Sequence, residues 1–294
     1  MKVAIFGKHL PKVHHHKIDQ LFKKLNEVGA ELSIYEPFLD DLMQANIENL
    51  DKQKTFRDHS SLDKSTDFLF SLGGDGTFLN TITFVRDSNI PILGINTGRL
   101  GFLSVTGTFE INETIDALVS GNYQVEKRRL ISFDCEQKLF GEDNFALNEI
   151  SLTKRDSSSM ITIHTNLNGR HLNSYWADGL IISTATGSTA YNLSCGGPIL
   201  MPGIGSLSLT PIAPHNLNVR PIVIDDDSIL KLEIESRSKQ NLVTLDSRSA
   251  LIDDNVTMSL QKANFEISLV TFSNHSFIHS LRNKLNWGLD SRNI

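Results

Sequence analysis

Residues 68–79 read Phe68-Leu69-Phe70-Ser71-Leu72-Gly73-Gly74-Asp75-Gly76-Thr77-Phe78-Leu79. An apolar run of strand length breaks into three glycines around a single acid, and a helix-like pattern follows from Thr77 to Val85. A buried strand that feeds a glycine turn and then a helix is one step of a parallel sheet covered on both faces. The flanking sequence repeats the step. Residues 3–7 form an apolar strand ending at Gly7. Ile18, Leu21, Phe22, Leu25 and Val28 then fall at helical spacing, with Gly29 as a stop signal. Residues 31–35 and 90–95 supply further strands. The N-terminal part is therefore expected to be an α/β domain with a parallel sheet.

Beyond about residue 122 the texture changes to short β-branched and aromatic segments: 130–133, 150–153, 161–167, 171–176, 179–183, 229–234, 242–245 and 256–260. Asn168-Gly169 between two of them signals a tight hairpin. This part reads as mostly antiparallel β. The expected division is 1–122 for the α/β domain and 123–274 for the β domain. An amphipathic helix within 275–294 (Phe277, Ile278, Leu281, Leu285) is expected to pack back on the first.

Composition bounds the function. The chain has 294 residues, 39% hydrophobic and 21% charged, which suits a globular protein of about two domains. A net charge of −6 provides no basic field for nucleic acid. No apolar run reaches the roughly 18 residues of a membrane span, and the N-terminus lacks a signal-peptide core. Cys135 and Cys195 stand outside any zinc or redox spacing. The expected location is the cytoplasm.

Gly73, Gly74, Gly76 and Thr77 leave backbone amides uncovered between a strand and a helix, an arrangement suited to phosphate. The loop lacks the Gly-Lys-Ser/Thr of a Walker A motif, and Leu79 stands where a dinucleotide fingerprint needs its third glycine. An acid among phosphates is unfavourable unless it meets a metal ion or accepts a hydrogen bond from an attacking hydroxyl. Asp75 therefore points to phosphoryl transfer onto an alcohol. The simpler alternative is a cap on the helix beginning near Thr77. A second block runs from Asp178-Gly179-Leu180 through Thr186-Gly187-Ser188-Thr189-Ala190-Tyr191-Asn192-Leu193-Ser194 to Gly196-Gly197-Pro198. Its small hydroxyl side chains let a planar ligand approach the backbone. Asn148-Glu149 ends an apolar segment, where a Glu suits vicinal ribose hydroxyls.

Together these blocks, with Asn96-Thr97-Gly98-Arg99-Leu100-Gly101-Phe102-Leu103, resemble the NAD kinase family over nearly the whole chain. Those enzymes use ATP or polyphosphate to phosphorylate NAD on the adenosine ribose 2′-hydroxyl, giving NADP. The resemblance implies an α/β domain plus a β-sandwich domain, in a homodimer or homotetramer. It implies that Asp75 accepts the hydroxyl proton, with Gly76 beside the substrate. Asn148 and Glu149 would hold ribose and phosphate, and Asp178 an exocyclic amine or amide. Thr186, and Thr189 through Ser194 (Ala190, Tyr191, Asn192, Leu193), would frame the base, with Tyr191 reaching toward a neighbouring subunit. Ala213 would line the same pocket. Arg99 is a candidate phosphate ligand.

Two positions depart from the family pattern: Trp176, where a basic residue is common, and Arg248, where Gln is expected. No acidic cluster has the spacing of a Mg²⁺ cage, so the divalent ion is expected to arrive with ATP. His14-His15-His16, Lys127-Arg128-Arg129 and Lys154-Arg155 read as solvated faces. The rival functions are a diacylglycerol-type lipid kinase, sharing the glycine-aspartate loop, and an NAD-binding sensor without chemistry.

Overall fold

The computed structural model describes residues 1–48, 50, 53–98, 101–104, 106–107, 110–155, 159–273 and 276–287. The chain divides into two units, residues 1–127 with those from 267 onward, and residues 128–266.

In the first unit, five strands lie in the order Lys54–Phe56, Glu31–Tyr35, Lys2–Gly7, Phe68–Leu72, Ile92–Asn96, all parallel. Ile92 also pairs in parallel with Leu269, near the end of the strand Thr257–Thr271. Phe68–Leu72 and Ile92–Asn96 are buried at every position, which is why their sequences run apolar without alternation. The helix His15–Glu27 turns Ile18, Leu21, Phe22 and Leu25 inward, and Gly29 adopts φ +68° just beyond it. Ile5, Ile34, Phe70 and Leu93 of three neighbouring strands and the next are fully buried, each contributing about 1.5–3 kcal/mol. The helix Phe277–Leu285 belongs to this unit and sets Phe277 5.9 Å from the Phe102 ring.

The strand order fixes where a ligand belongs. From Lys2–Gly7 the chain moves to one side, then returns to lay Phe68–Leu72 on the other, with Gly7 paired to Leu72. The loops leaving those two carboxyl ends open at a topological switch point, the usual ligand position in open α/β sheets. Gly73 and Gly74, leading into the helix Asp75–Val85, are one of these loops.

The second unit holds two antiparallel layers. One orders Arg170–Ala177, Ile161–Leu167, Leu230–Glu235 and the first residues of Thr257–Thr271. The other orders Ile222–Asp225, Ser206–Ile212, Gly179–Thr184, Glu149–Lys154, Gln240–Leu245 and Arg248–Asp253. Their inner faces share one core, in which Ile163, Leu232, Leu180, Ile150 and Val243 are all at most 1% exposed. Asn168 and Gly169 take φ of +50° and +79° at the expected hairpin.

Three elements depart from expectation. The helix starts at Asp75, two residues earlier than its apolar pattern, because apolar spacing does not report the first turn. The strand expected over 256–260 continues to Thr271, since its later residues serve the other unit. Ser206–Ile212 is a strand in spite of Pro211, which pairs with Leu180 but lies beyond the residues matched to Ile222–Asp225.

Candidate functional site

The glycine-aspartate loop is built by close approach. Gly73 has φ +152°, and a Cβ there would come within 2.7 Å of Thr77 Cβ. Its N–H is tied to the Ile95 carbonyl at 3.0 Å. Gly74 is the N-cap of Asp75–Val85, extended at φ −85° and ψ −172°, and no side chain caps this helix. Gly74 and Gly76 are exposed, with open space where a side chain would stand. The first-turn amides thus face outward at the positive end of a helix, which suits phosphate oxygens.

Asp75 does not cap its own helix. Its carboxylate reaches residues 27 to 29 positions away, accepting from Phe102 N–H at Oδ2 (2.7 Å) and from Leu103 and Ser104 N–H at Oδ1 (3.0 and 2.9 Å). Asn96 supports the donors, its side-chain amide donating to the Ser104 carbonyl at 3.2 Å. Arg99, expected at the phosphates, lies outside the described residues.

In the second unit Asn148 and Glu149 stand at the start of Glu149–Lys154, and an acid outside the motifs above pins them. Asp246 accepts from Leu147, Asn148 and Glu149 N–H at 2.8, 2.7 and 3.2 Å. It sits in a hairpin turn at φ +52°, and its own N–H donates to the Glu149 carbonyl at 3.0 Å. Arg248, 3.9 Å from Asp246, also donates to the carbonyls of Asp143 and Phe145. The departure from the expected Gln is thus a local brace. Desolvation pushes the Glu149 carboxyl up to about 8, and the nearby Asp246 charge adds to it. Burial raises Asp246 too, but three amides and Arg248 oppose that, so Glu149 is the one that holds the proton. Asn148 Oδ1 and Glu149 Oε2 are buried with no partner. Buried polar atoms rarely stay so.

The hydroxyl-rich block packs onto that strand. Thr184 hydroxyl donates to the Leu147 carbonyl at 2.6 Å and accepts from Gly187 N–H at 3.2 Å. A Cβ on Gly187 would lie 2.6 Å from Asn148 Cα. Thr186, Thr189, Ala190 and Leu193 are half-buried, while Tyr191 and Ser194 are exposed. Tyr191 shares a side-chain hydrogen bond with Cys195. Burial raises the phenol and the thiol alike. Asn192 turns inward: its Nδ2 donates to the Ser188 and Pro198 carbonyls (3.0 Å each), and its Oδ1 accepts from Thr210 (2.6 Å). Its side chain is an internal clasp, a role that composition does not reveal.

Asp178 meets Lys154 at 2.5 Å, so this lysine is not a solvated one. Arg155 likewise donates to Gln240 at 2.7 Å. Ala213 is exposed at φ +44°, just past Ser206–Ile212. Trp176, at the position expected to be basic, stacks against His215 with ring centroids 4.2 Å apart. The three histidines do not converge, since His15 Nε2 bonds the Leu10 carbonyl at 3.2 Å. Among the described residues, Asp225, Asp226 and Asp227 gather three carboxylates, but Arg129 and Lys262 pair with them.

Known proteins match the chain in two parts. Residues 15–123 match the model of the ATP-NAD kinase N-terminal domain, and residues 147–272 that of the ATP-NAD kinase C-terminal domain. The NAD kinase of Cytophaga hutchinsonii is 47% identical over 293 residues, covering 100% of each chain. Yeast NADH kinase, solved in complex with NADH, matches with a TM-score of 0.84 at 22% identity, over 99% of this chain and 89% of that one. The NAD kinase of Archaeoglobus fulgidus, solved in complex with ATP, gives 0.76 at 24% identity, over 97% and 99%. At those identities the two structures speak for the fold.

Proposed function

The chain belongs to the NAD kinase family, and on that premise we propose how its residues divide the work. The reaction is phosphorylation of NAD to NADP. The acceptor is the adenosine ribose 2′-hydroxyl. Asp75, with Gly76 beside the substrate, takes the hydrogen bond of that hydroxyl. The turn of Gly73, Gly74 and Thr77 faces the terminal phosphate of ATP with the amides its helix leaves unbonded, the Gly73 and Thr77 N–H groups staying on the Ile95 and Gly74 carbonyls, and polyphosphate is the other donor class. As the ribose oxygen bonds to the γ-phosphorus, the bond to the β-phosphate oxygen breaks and ADP leaves. The hydroxyl proton passes to Asp75 and then to solvent. An alcohol is far too weak an acid for a carboxylate to ionise beforehand, so Asp75 works by orientation and late proton acceptance.

Asn148 Oδ1 and Glu149 Oε2 accept from ribose hydroxyls of the dinucleotide, and the Asn148 side-chain amide N–H donates to its phosphate. Asp178, Thr186, Thr189, Ala190, Tyr191, Leu193, Ser194 and Ala213 frame the rest, with Asn192 holding the frame. The loop offers amides, and its one carboxylate already accepts three N–H groups, so these residues fit a phosphate better than a bare cation. A divalent ion, Mg²⁺ in this reading, would stay on the triphosphate and neutralise charge there. Tyr191, 42% exposed, suits the homodimer or homotetramer of this reading. Two free cysteines suit a cytoplasmic site. Among the described residues no helix is long and apolar enough to cross a membrane.

The observation that carries the reading is a half-buried carboxylate locked at the head of an amide-lined helix. The test is NADP formation from NAD and ATP·Mg²⁺, read with an NADP-specific dehydrogenase, with diacylglycerol as a second acceptor. Asp75→Asn is expected to lower kcat by about 10²–10⁴ and leave NAD binding intact. Full activity in that variant, or phosphorylation of the lipid alone, would overturn it. NAD binding without turnover in the parent chain would favour the sensor.

A further inference from the structure

We infer that residues 101–104 form a seat for Asp75 and that Gly101 is a positioning residue for the reaction, an inference that rests on the proposed role of Asp75. Three consecutive amides, of Phe102, Leu103 and Ser104, hold both carboxylate oxygens, which fixes the two side-chain torsions. The arrangement is asymmetric. Oδ1 accepts two of the bonds and Oδ2 only one. A carboxylate oxygen has two lone-pair sites, so Oδ2 keeps one place and Oδ1 none. Oδ2 is the oxygen that receives the acceptor hydroxyl.

Gly101 makes this seat possible. A Cβ there would stand 2.5 Å from Asp75 Cγ and overlap Oδ1 outright. Its φ lies outside the left-handed range, so the backbone itself would accept alanine. The requirement for glycine comes from the carboxylate, which supplies the three atoms nearest to such a Cβ. The seat is braced from behind. Gly101 N–H donates to the Ser104 carbonyl at 3.1 Å, which also accepts from the Asn96 side chain. Asn96 Oδ1 accepts from Gly98 N–H at 2.7 Å. Gly94 lies against the loop, where a Cβ would come 2.7 Å from Ser104 Cα.

Gly101→Ala is expected to move the carboxylate by a fraction of an ångström to an ångström. kcat should fall about 10²-fold, because misplacement on that scale costs about that much. KM for NAD and for ATP should stay within about threefold, since neither substrate meets residue 101 in this reading. The decisive measurement is a double-mutant cycle: in an Asp75→Asn background, Gly101→Ala should cost nothing further. Equal losses in both backgrounds, or an unaffected kcat in the single variant, would overturn the inference. A readout independent of turnover covers the case in which Gly101→Ala does not fold. In Asp75→Asn the amide-proton resonances of Phe102, Leu103 and Ser104 should move upfield as three charge-assisted bonds weaken. Unmoved resonances would remove the seat. Moved resonances in a chain that makes no NADP would keep the seat and remove the proposed role of Asp75.

Discussion

Glu149→Gln should make the protein more stable and a poorer enzyme, and the gain should grow with pH. In the folded chain this carboxyl titrates near 8, against 4.5 for an ordinary glutamate. Below pH 4.5 both states carry the proton and the group is neutral to folding. Between 4.5 and 8 the unfolded chain releases its proton while the folded chain keeps it, so stability falls as pH rises. Above 8 the loss is complete. At 1.36 kcal/mol for each pH unit, the penalty is about 3 kcal/mol at pH 7 and about 5 kcal/mol above pH 8. Glutamine resembles the protonated acid and does not titrate. Its NH₂ needs partners the site does not supply, which costs about 1–3 kcal/mol. At pH 5 the variant should therefore match the parent or fall below it. At pH 8.5 it should be ahead by about 2–4 kcal/mol, or about 4–16 °C in Tm. Urea and thermal unfolding of both chains at pH 5, 6.5 and 8.5 check this. A difference that stays constant across those pH values would refute the buried, proton-holding Glu149. In the same variant KM for NAD should rise, the usual opposition between stability and a strained site.

Gly187→Ala should push the hydroxyl-rich turn off Asn148, whose backbone occupies the space of the new methyl. The expected cost is about 1–3 kcal/mol of overpacking with a raised KM for NAD, checked by melting and steady-state kinetics. Lys154→Met keeps the aliphatic stem and removes the charge on Asp178. With side chains 22% and 37% exposed the pair contributes less than about 1 kcal/mol to stability, so Tm should barely move. KM for NAD should rise several-fold as Asp178 loses its orientation, with kcat held; an unchanged KM would dissociate this pair from the substrate.

The α/β order was legible because a strand buried on both faces is written as a near-continuous apolar run, as in Phe68–Leu72, where Ser71 alone is polar. The glycine loop was legible because a turn with close contacts tolerates little else, as Gly73 against Thr77 shows. What stayed hidden was long-range satisfaction of polar groups. Asn192 sits in a hydroxyl-rich block that suggests a ligand, yet its amide closes onto Ser188, Pro198 and Thr210. Lys154 looks like a surface residue until the sheet brings Asp178 beside it. The partner in each case arrives from another strand or turn, and no local spacing records it.

Two aspartates, one in each unit, show how much placement decides. Each accepts three consecutive backbone amides, two at one oxygen and one at the other: residues 102–104 for Asp75, and residues 147–149 for Asp246. Asp246 has a side chain 1% exposed and Arg248 at 3.9 Å, so no solute reaches its remaining lone pair. It acts on the backbone, presenting Asn148 and Glu149, and it keeps the neighbouring proton on Glu149. Asp75 is only half-buried, beside exposed glycines at a helix N-terminus, so its carboxylate is not sealed off. The same hydrogen-bonding device thus gives a sealed carboxylate in one unit and an accessible one in the other. The difference lies in what the surrounding residues leave open: glycines at 74, 76 and 101 beside Asp75, against a closed hairpin around Asp246.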